Sequence, residues 1–530
     1  MSCDLQGSMA TLRYDLFSRN LEACYNKRGE HLLVKMKLLI ANRGEIALRV
    51  IRTCRKLGVH TVLTYSDADE KSLPLRFADE RYPLHGSTPT ETYLNIPKLI
   101  KAAKETSCDA VHPGYGFLSE DEKFVNACEE NGLQFIGPPS SALAKLGNKL
   151  QARRAMKESG VPVIPGSSRP LKNEEEAVKI ANEIGYPVIL KAVYGGGGRG
   201  MRVANKLDEV KNFFRITRLE SLSAFGREDV YIEKMLENPR HVEIQAIADM
   251  HGKVVSLGER ECSIQRRHQK LLEEAPSVAL DDELRRHLND AAKKGLSVAG
   301  YTNAGTVEFL LTKNREFYFL EVNKRLQVEH LVTELTTGLD IVEKQLEVTS
   351  TTRLGLSQNE IHVKGWAINC RINAEDPRQG FAPSPGKVFT YHPPSGPGVR
   401  VDSALFSGCD VPEHYDSLIA KLAVHGANRL DAIRRMRVAI DEMEILGVPT
   451  TIPLHRELMM DSGFIQGNFD TTFLNGILPH LHSTIDEMEK IAAVVGAVEK
   501  LKTPTSRHLN SHKISSGWRT AARTHLMTGR

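Results

Sequence analysis

Residues 317–329, FYFLEVNKRLQVE, place acidic, amide and cationic side chains at a spacing that suits one chemical site. Successive side chains of an extended strand point to opposite faces. At that spacing one face carries the apolar side chains Leu320, Val322, Leu326 and Val328. The other face carries the polar side chains Glu321, Asn323, Arg325, Gln327 and Glu329. A half-buried strand with one wet face is the alternative interpretation. We expect instead that the five polar groups point together into a cavity.

A second strand pattern at residues 306–311, TVEFLL, precedes this stretch and predicts a β-hairpin with residues 316–323. If residues 312–315 form the turn, Glu308 lies opposite Phe319, and Glu321 lies diagonal to Glu308 on the same face. Two carboxylates so close repel each other unless a cation lies between them. Oxygen ligands from Glu308, Glu321 and Asn323 favour Mg²⁺ or Mn²⁺. Two solvated glutamates on an open sheet face are the alternative.

Two segments could bind an anion. Lys191 lies in an apolar strand pattern, residues 186–193, that runs into the glycine-rich residues 194–201, YGGGGRGM. Such glycines let backbone N–H groups approach a phosphate, although the Walker spacing is missing and a flexible hairpin tip would also explain them. Residues 262–270, CSIQRRHQK, concentrate positive charge, and we expect them between a strand and a helix. They are either an anion site or a solvated surface.

The elements that would position these residues begin at Met36. Short apolar runs at residues 37–41 and 60–65 alternate with helical periodicity as far as residue 138, which predicts a parallel sheet with helices on its faces. The outline is Rossmann-like, but its first turn lacks G-x-G-x-x-G. Further on, residues 241–249 read as a strand with His241, Glu243 and Gln245 on one face. The predicted fold class is α/β, with α+β character overall.

Bulk composition limits the function classes. The 530 residues suffice for three or four domains, and 41% hydrophobic and 26% charged residues describe an ordinary globular protein. A net charge of +4 gives no support to a nucleic-acid partner, and no apolar run is long enough to span a membrane. The eight cysteines include no CxxC pair, which argues for a reducing compartment and against zinc. We therefore expect a cytoplasmic protein, with the mitochondrial matrix as the alternative.

Several longer motifs, taken together and in order, resemble the biotin carboxylase components of biotin-dependent carboxylases. They are KLLIANRGEIALRV, HPGYGFLSE, YPVILKA followed by GGGGRGM, ENPRHVEIQ, ERECSIQRRHQKLLEEAP, RLQVEH and CRINAEDP. The resemblance covers residues 36–481 and implies an ATP-grasp fold. It implies a Rossmann-like N-terminal domain at 36–149, an ATP-grasp domain at 150–355 with a lid subdomain at about 163–236, and a C-terminal biotin carboxylase domain at 356–481. Residues 1–35 would be a disordered extension, and residues 482–530 a helix with a basic tail.

The resemblance also implies the chemistry, which is ATP-dependent carboxylation of biotin by bicarbonate through carboxyphosphate. By the family pattern, the ATP contacts are Lys149, Lys191, Gly197, Gly198, Glu233, Lys234, Met235, Leu236, His241, Gln265, His268, Glu308 and Glu321. Two Mg²⁺ or Mn²⁺ ions would bind at Glu308, Glu321 and Asn323. The bicarbonate contacts would be Lys270, Arg325, Gln327, Val328 and Arg371. Glu329 would be the general base and Arg371 would bind biotin and stabilise its enolate, so that the catalytic set is Glu329, Arg371, Arg325 and Lys270.

Partners follow from the same resemblance. Lys157 lies in a helical period and not in a carrier hairpin, so biotin is expected on a separate carrier protein, with the carboxyltransferase on another chain. The likeness implies a homodimer and a role in an acetyl-CoA, propionyl-CoA or pyruvate carboxylase. The alternatives are another ATP-grasp ligase and an ATP-binding protein without catalysis.

The sequence departs from the family pattern at four positions. They are Tyr194 for a glycine, Val322 for methionine, Lys324 for threonine and Leu331 for proline. Lys324 falls on the apolar face of the predicted strand, so its ammonium must reach solvent, pair with an acid or join the site.

Overall fold

The N-terminal part of the computed structural model is built on a five-stranded parallel sheet. The structure describes residues 36–194 and 200–479. The strand order is β3-β2-β1-β4-β5, and every neighbouring pair is parallel. The strands are β1 Lys37–Ile40, β2 His60–Tyr65, β3 Glu80–Pro83, β4 Ala110–His112 and β5 Gln134–Phe135. The helices are α1 Gly44–Leu57, α2 Ile96–Glu105, α3 Glu122–Glu130 and α4 Ser140–Gly147, with 3₁₀ turns at Asp67–Asp69 and Leu73–Arg76.

The predicted alternation of strand and helix in this part is confirmed. Helix α1 buries its apolar stripe against β1, and it ends where Gly58 adopts a left-handed conformation with φ 71°. The motif HPGYGFLS forms the loop that follows β4, and it brings Tyr115 and Phe117 to a cavity of about 1160 Å³.

A small antiparallel sheet of three strands follows, in the order β7-β6-β8. Its strands are β6 Val188–Ala192, β7 Met201–Ala204 and β8 Val230–Lys234. The helices of this part are α5 Lys149–Glu158, α6 Glu174–Ile184 and α7 Leu207–Phe225. Leu171, Val210 and Phe214 join the buried residues of β6 and β8 in one apolar core, which explains why these short strands are stable.

The central sheet has eight strands in the order β13-β12-β9-β10-β11-β14-β21-β19, all antiparallel, with β19 at Val399–Ser403 and β21 at Leu418–Gly426. The six strands of this sheet that come first along the chain are β9 Arg240–Ala248, β10 Val254–Arg266, β11 Gln269–Ala275, β12 Asn303–Leu311, β13 Phe317–Asn323 and β14 Trp366–Asn373. The helices here are α8 Asp282–Ala299, α9 His330–Thr337 and α10 Ile341–Thr351, with a 3₁₀ turn at Gln358–Glu360. Strand β10 has three register irregularities, which bend a sheet locally.

The C-terminal part supplies the remaining strands of this sheet. Its strands are β15 Glu375–Asp376, β16 Ala382–Pro383, β17 Gly386–Lys387, β18 Thr390–His392, β19 Val399–Ser403, β20 Asp410–Val411, β21 Leu418–Gly426 and β22 Glu444–Leu446. Its helices are α11 Arg429–Glu442, α12 Ile452–Met460 and α13 Ser462–Gln466, with a 3₁₀ turn at Pro377–Gln379. Because β11 pairs with β14, one sheet continues across the predicted boundary at residue 355. The predicted domain boundaries themselves stay predictions.

Three local predictions were wrong. The strand does not run from 317 to 329, because β13 ends at Asn323 and residues 324–329 form a loop before α9. In the β12–β13 hairpin, Phe309 faces Phe319 and a register shift follows, so that Glu308 lies directly opposite Glu321 and not diagonal to it. The basic segment 262–270 joins two strands, since β10 and β11 are connected by Arg267 and His268, whose φ angles are 49° and 65°.

Some predictions fall outside the described residues. They concern the extension 1–35, the ATP contacts Gly197 and Gly198, and the helix and basic tail beyond residue 481. Among the described helices, none is both long and apolar enough to cross a membrane.

Candidate active site

A cavity of about 1160 Å³ collects the candidate residues. Every predicted site residue within the described ranges lines it, from Lys149 at one end of the sequence to Arg371 at the other. They come from α5, from β6 and β8 of the small sheet, from six strands of the central sheet, and from the loops that follow β8, β10 and β13. Residues scattered over 223 positions of sequence therefore share one space.

The two predicted metal-binding carboxylates stand side by side in this cavity. The Glu308 carboxylate lies 2.9 Å from His241 Nε2 and accepts hydrogen bonds from Lys270 Nζ at 2.7 Å and from Asn323 Nδ2 at 2.7 Å. Burial works to raise the pKa of Glu308, but the charges of Lys270 and His241 outweigh it and hold that pKa well below its usual value.

The Glu321 carboxylate has the opposite electrostatics. Burial first, and then the negative charge of Glu308, raise its pKa, while Lys149 opposes the shift. Glu321 lies directly opposite another carboxylate, and the positive charges near it do not balance both. Such a carboxylate favours binding of a cation. The donor set of Glu308, Glu321 and the amide oxygen of Asn323 therefore fits a hard divalent cation. In the described chain that amide oxygen accepts a hydrogen bond from Arg325 Nη2 at 3.1 Å.

Lys270 is the centre of a buried ionic cluster. Its Nζ donates to Glu243 at 2.5 Å, to Glu308 at 2.7 Å and to Glu329 at 2.8 Å. Burial alone would lower the pKa of Lys270, but the three carboxylates raise it well above its usual value. Lys270 is therefore a fixed positive charge, positioned where an incoming anion would meet it.

Glu329 lies between two cations. Lys270 contacts its Oε1, and Arg371 Nη2 donates to its Oε2 at 2.9 Å. Burial works against ionisation, yet Lys270 and Arg371 together hold the pKa of Glu329 well below its usual value. Arg371 is itself fixed by a hydrogen bond from its Nε to Glu273 at 2.6 Å. Glu329 is thus an ionised carboxylate, paired with both Lys270 and Arg371.

Arg325 is fixed by three acceptors. Its Nε donates to Glu120 at 3.1 Å, its Nη1 to the carbonyl of Leu326 at 3.1 Å, and its Nη2 to Asn323. Burial works to raise the pKa of Glu120, but Arg325 and Lys324 outweigh it and lower that pKa. The same carboxylate accepts from the backbone N–H of Lys324 at 2.9 Å, which ends the strand there.

The opposite end of the cavity carries the predicted ATP contacts. Lys191 forms an ion pair with Glu233, whose second oxygen accepts from Arg153 Nη1 at 2.7 Å. Lys149 lines the same space, and burial lowers its pKa. Lys234 donates to the carbonyl of Tyr186 at 2.6 Å, and Met235 and Leu236 continue along the wall. Gln265 and His268 complete this end from the β10–β11 hairpin.

Three central residues were missed as site residues. Glu243, Arg260 and Glu273 are fully buried, and Arg260 donates to both Glu243 and Gln327 at 2.5 Å. The signal for Glu243 is its place on one face with His241 and Gln245. Arg260 and Glu273 have charged neighbours in the sequence, Glu259 and Glu261 beside Arg260 and Glu274 beside Glu273, so neither stands out as a buried charge.

The departures from the family pattern have local explanations. Val322 belongs to the apolar core beneath β13, and Leu331 is fully buried in α9. The Tyr194 hydroxyl accepts a hydrogen bond from Arg227 at 2.9 Å, and that guanidinium lies 4.5 Å from the centre of the tyrosine ring. Lys324 pairs with an acid, since its Nζ lies 3.7 Å from Glu120 Oε1.

Three family models match the chain and together cover most of it. The model described as Biotin carboxylase, N-terminal domain matches residues 34–143. The model described as Carbamoyl-phosphate synthase L chain, ATP binding domain matches residues 148–357. The model described as Biotin carboxylase C-terminal domain matches residues 369–476.

Individual relatives agree. Biotin carboxylase 1 of Bacillus subtilis (strain 168) is 52% identical over 439 residues, which cover 83% of this chain and 98% of that protein. The biotin carboxylase of Nostoc sp. is 48% identical over 438 residues, which cover 83% of this chain and 98% of that protein. The biotin carboxylase domain dimer of the Hydrogenobacter thermophilus 2-oxoglutarate carboxylase, solved with MgADP, ADP and bicarbonate, superposes with a TM-score of 0.82 at 46% identity. That comparison covers 85% of this chain and 99% of the solved one.

Proposed function

Because the chain belongs to the biotin carboxylase family, we propose that it carboxylates biotin with bicarbonate and ATP, by way of carboxyphosphate. The observation that carries this proposal is the position of Glu329. Its carboxylate lies between Lys270 and Arg371, and Lys270 connects it to the metal-type carboxylate Glu308. Phosphoryl transfer and proton transfer can therefore take place within one cavity.

At the phosphate end, Glu308, Glu321 and Asn323 would hold Mg²⁺ or Mn²⁺. A divalent cation bound there would neutralise charge on the ATP phosphates during phosphoryl transfer. Lys149 and Lys191 would add positive charge on the other side of the phosphates. MgADP in the related 2-oxoglutarate carboxylase domain supports magnesium and adenine nucleotide for this chain.

At the anion end, we assign bicarbonate to the space between Lys270, Arg325, Gln327 and the backbone of Val328. A planar anion suits the planar guanidinium of Arg325. Glu329 would take the proton of bicarbonate as general base, which requires hydrogen-bond reach. An anion that enters between Lys270 and Glu329 weakens their pairing, so substrate binding itself would raise the pKa of Glu329 and make it a stronger base.

Biotin is the second substrate of the site. Once carboxyphosphate has broken down to CO₂ and phosphate, loss of the N1 proton of biotin, relayed through Glu329, leaves an enolate that attacks CO₂. Arg371 would stabilise the enolate oxygen, a role that needs one fixed cation. Glu273 accepts a hydrogen bond from the Nε of Arg371, which supports a fixed position for the positive charge of that guanidinium.

Biotin is proposed to arrive on a separate carrier protein, and the carboxyltransferase is proposed to be another chain. The related proteins include a component of a pyruvate carboxylase from Methanothermobacter thermautotrophicus, 46% identical, and the 2-oxoglutarate carboxylase domain. These two relatives support a 2-oxo acid as the final acceptor, and acetyl-CoA and propionyl-CoA are the other proposed acceptors. We propose a homodimer, as in the solved 2-oxoglutarate carboxylase domain. The six described cysteines are free, which supports the cytoplasm as location.

The test is phosphate release from ATP and bicarbonate, with and without free biotin. We expect biotin to stimulate phosphate release by the parent protein. Glu329→Gln should lower the rate about a hundredfold or more, because it removes the base. Arg371→Ala should abolish the stimulation by biotin, while the slow reaction without biotin remains. A parent protein that biotin never stimulates contradicts the proposal.

A second candidate is another ATP-grasp ligase, since the family model matching residues 148–357 takes its description from carbamoyl-phosphate synthase. Such an enzyme has no biotin enolate to stabilise. If ATP turnover requires bicarbonate but is indifferent both to biotin and to Arg371→Ala, this second function is favoured. A protein that binds ATP without catalysis would show no bicarbonate-dependent turnover at all.

A further inference from the structure

Lys324 is a largely buried cation that the proposed reaction does not use. Its side chain is 12% exposed, and its Nζ lies 3.7 Å from Glu120 Oε1. The ammonium also lies beside the last residue of α4, since a methyl group placed on Gly147 would be 3.9 Å from it. The carbonyl end of a helix is its negative end. Lys324 is therefore held between a carboxylate and a partial negative charge.

Glu120 is shared between Lys324 and Arg325. Its Oε2 accepts from Arg325 Nε at 3.1 Å, and its Oε1 accepts from the backbone N–H of Lys324 at 2.9 Å. If Arg325 and Glu120 stood alone, they would form a neutral pair. The neighbouring ammonium gives the group of three side chains a net charge of +1.

This charge lies next to the proposed anion site. Arg325 also donates to Asn323 Oδ1 and to the carbonyl of Leu326, both at 3.1 Å. Its guanidinium is thus already oriented, and little movement is left for Lys324 to restrict. What Lys324 adds is charge: it offsets Glu120, which would otherwise repel any anion that approaches Arg325.

We propose that Lys324 tightens bicarbonate binding by neutralising Glu120 behind Arg325. The proposal rests on the proposed function, because it takes bicarbonate as the anion at Arg325. It concerns the residue that this chain has where the family pattern has threonine. The substrate class is a small planar oxyanion, and the predicted effect is on its affinity and not on the chemical step.

The experiment measures KM for bicarbonate and kcat in biotin-stimulated phosphate release for the parent, Lys324→Met and Lys324→Arg. Lys324→Met keeps the length of the side chain and removes the charge. We expect its KM for bicarbonate to rise about three- to tenfold. The physical reason is that the loss of one positive charge near a partly buried anion site weakens anion binding by about that factor. We expect kcat to change by less than about twofold and Lys324→Arg to restore KM.

The matched control is Lys145→Met, the same change on the exposed face of α4. Its KM for bicarbonate should equal that of the parent. Because a largely buried charge is screened by salt much less than an exposed one, the ratio of the KM values of Lys324→Met and parent should persist when KCl is raised from low to high concentration.

Three outcomes overturn the inference. One is an unchanged KM for bicarbonate in Lys324→Met. Another is a failure of Lys324→Arg to restore it. The third is a rise in the KM for ATP in place of that for bicarbonate, which would assign Lys324 to the α4–α5 junction beside Lys149. A thermal melt of each variant shows whether it is folded. If the parent itself has no biotin-stimulated turnover, the proposed function fails and this inference falls with it, whereas an unchanged KM for bicarbonate in a protein that biotin does stimulate overturns the inference alone.

Discussion

Charged side chains in the core of this cavity are paired with one another. Glu243, Glu308 and Glu329 share Lys270, while Glu329 and Glu273 share Arg371. Removing one partner of a buried ion pair leaves an uncompensated charge, which costs about 3–5 kcal/mol. The cluster is therefore held in place by its own electrostatics, and substrates must exchange with contacts that already exist.

A test at the residue scale concerns Glu273, which accepts from Arg371 Nε at 2.6 Å and from Asn369 Nδ2 at 2.7 Å. Glu273→Gln keeps the shape but removes the charge that orients Arg371. We expect biotin-stimulated phosphate release to fall about tenfold, because a charge-assisted hydrogen bond is replaced by a weaker neutral one. Turnover without biotin should change much less.

The control for this test is Glu413→Gln, whose side chain is 73% exposed. It should behave like the parent in both assays. Equal losses with and without biotin in Glu273→Gln would mean that Glu273 supports the fold and not Arg371.

The sequence predicted many of the residues in this cluster, but it did not show which of them form ion pairs with each other. Strand alternation and family motifs pointed to Glu308, Glu321, Asn323 and Glu329. The pairing of Lys270 with three glutamates depends on strands that lie far apart in the sequence. Arg260 was missed because a buried arginine in a strand looks like any surface arginine until its partners are known.

At the scale of secondary-structure elements, the strand predicted from alternating side chains was wrong where the backbone leaves the sheet. Strand β13 ends at Asn323 because the next N–H, of Lys324, donates to the side chain of Glu120 and not to a strand. A register shift next to Leu320 brings Glu308 opposite Glu321. A period of two residues cannot reveal one extra residue in a strand. The prediction that these side chains share a cavity still held, because the loop after β13 turns its polar groups the same way.

A test at this scale concerns the contact between the segment before α6 and strand β8. A methyl group on Gly166 would lie 2.4 Å from the carbonyl oxygen of Ile232 and 2.8 Å from Glu233 Cα. Gly166→Ala must therefore displace β8 and residues 233–236, at a cost of about 1–3 kcal/mol. We expect a lower melting temperature and a KM for ATP that rises about fivefold or more.

Gly476→Ala is the matched control, because a methyl group there meets nothing within 4 Å. Its KM for ATP should equal that of the parent. A Gly166→Ala protein with unchanged ATP kinetics would contradict the assignment of residues 233–236 to the ATP end.

On the scale of the whole molecule, the stability should depend on pH through buried histidines. His112 and His455 are fully buried, and burial lowers the pKa of each from 6.5 to about 4. In the unfolded chain they take up protons first as the pH falls. Stability is therefore unaffected above pH 6.5 and is lost progressively as the pH falls from 6.5 towards 4.

Each of these histidines should lower the free energy of unfolding by about 2 kcal/mol between pH 7 and pH 5. His112→Asn removes one titrating group and keeps an acceptor for the N–H of Gly114, to which His112 Nδ1 is bound at 3.0 Å. The fall in melting temperature from pH 7 to pH 5 should be smaller in this variant. His287→Asn, at an exposed position, should show the full fall, and an equal fall in both variants would contradict the prediction.

The general fold class was predictable, since alternating strands and helices in the first part leave few arrangements. The central sheet was not. Its order brings β11 beside β14 and β21, and such pairings over a long sequence distance leave no local signal. The resemblance to the family implies a domain boundary at residue 355, which stays a prediction, and β11 and β14 pair across that position.

That continuous sheet has a mechanical consequence. One hydrogen-bonded sheet carries Glu308 on β12, Glu321 on β13 and Arg371 on β14. Strands β9, β10 and β11 lie between β12 and β14. Adjacent strands are held at a spacing of about 4.8 Å, so Glu308, Glu321 and Arg371 move together with this sheet. Lys191 and Glu233, in contrast, stand on the separate three-stranded sheet. Any motion of the small sheet relative to the central sheet would therefore move Lys191 and Glu233 and leave the spacing of Glu308, Glu321 and Arg371 unchanged.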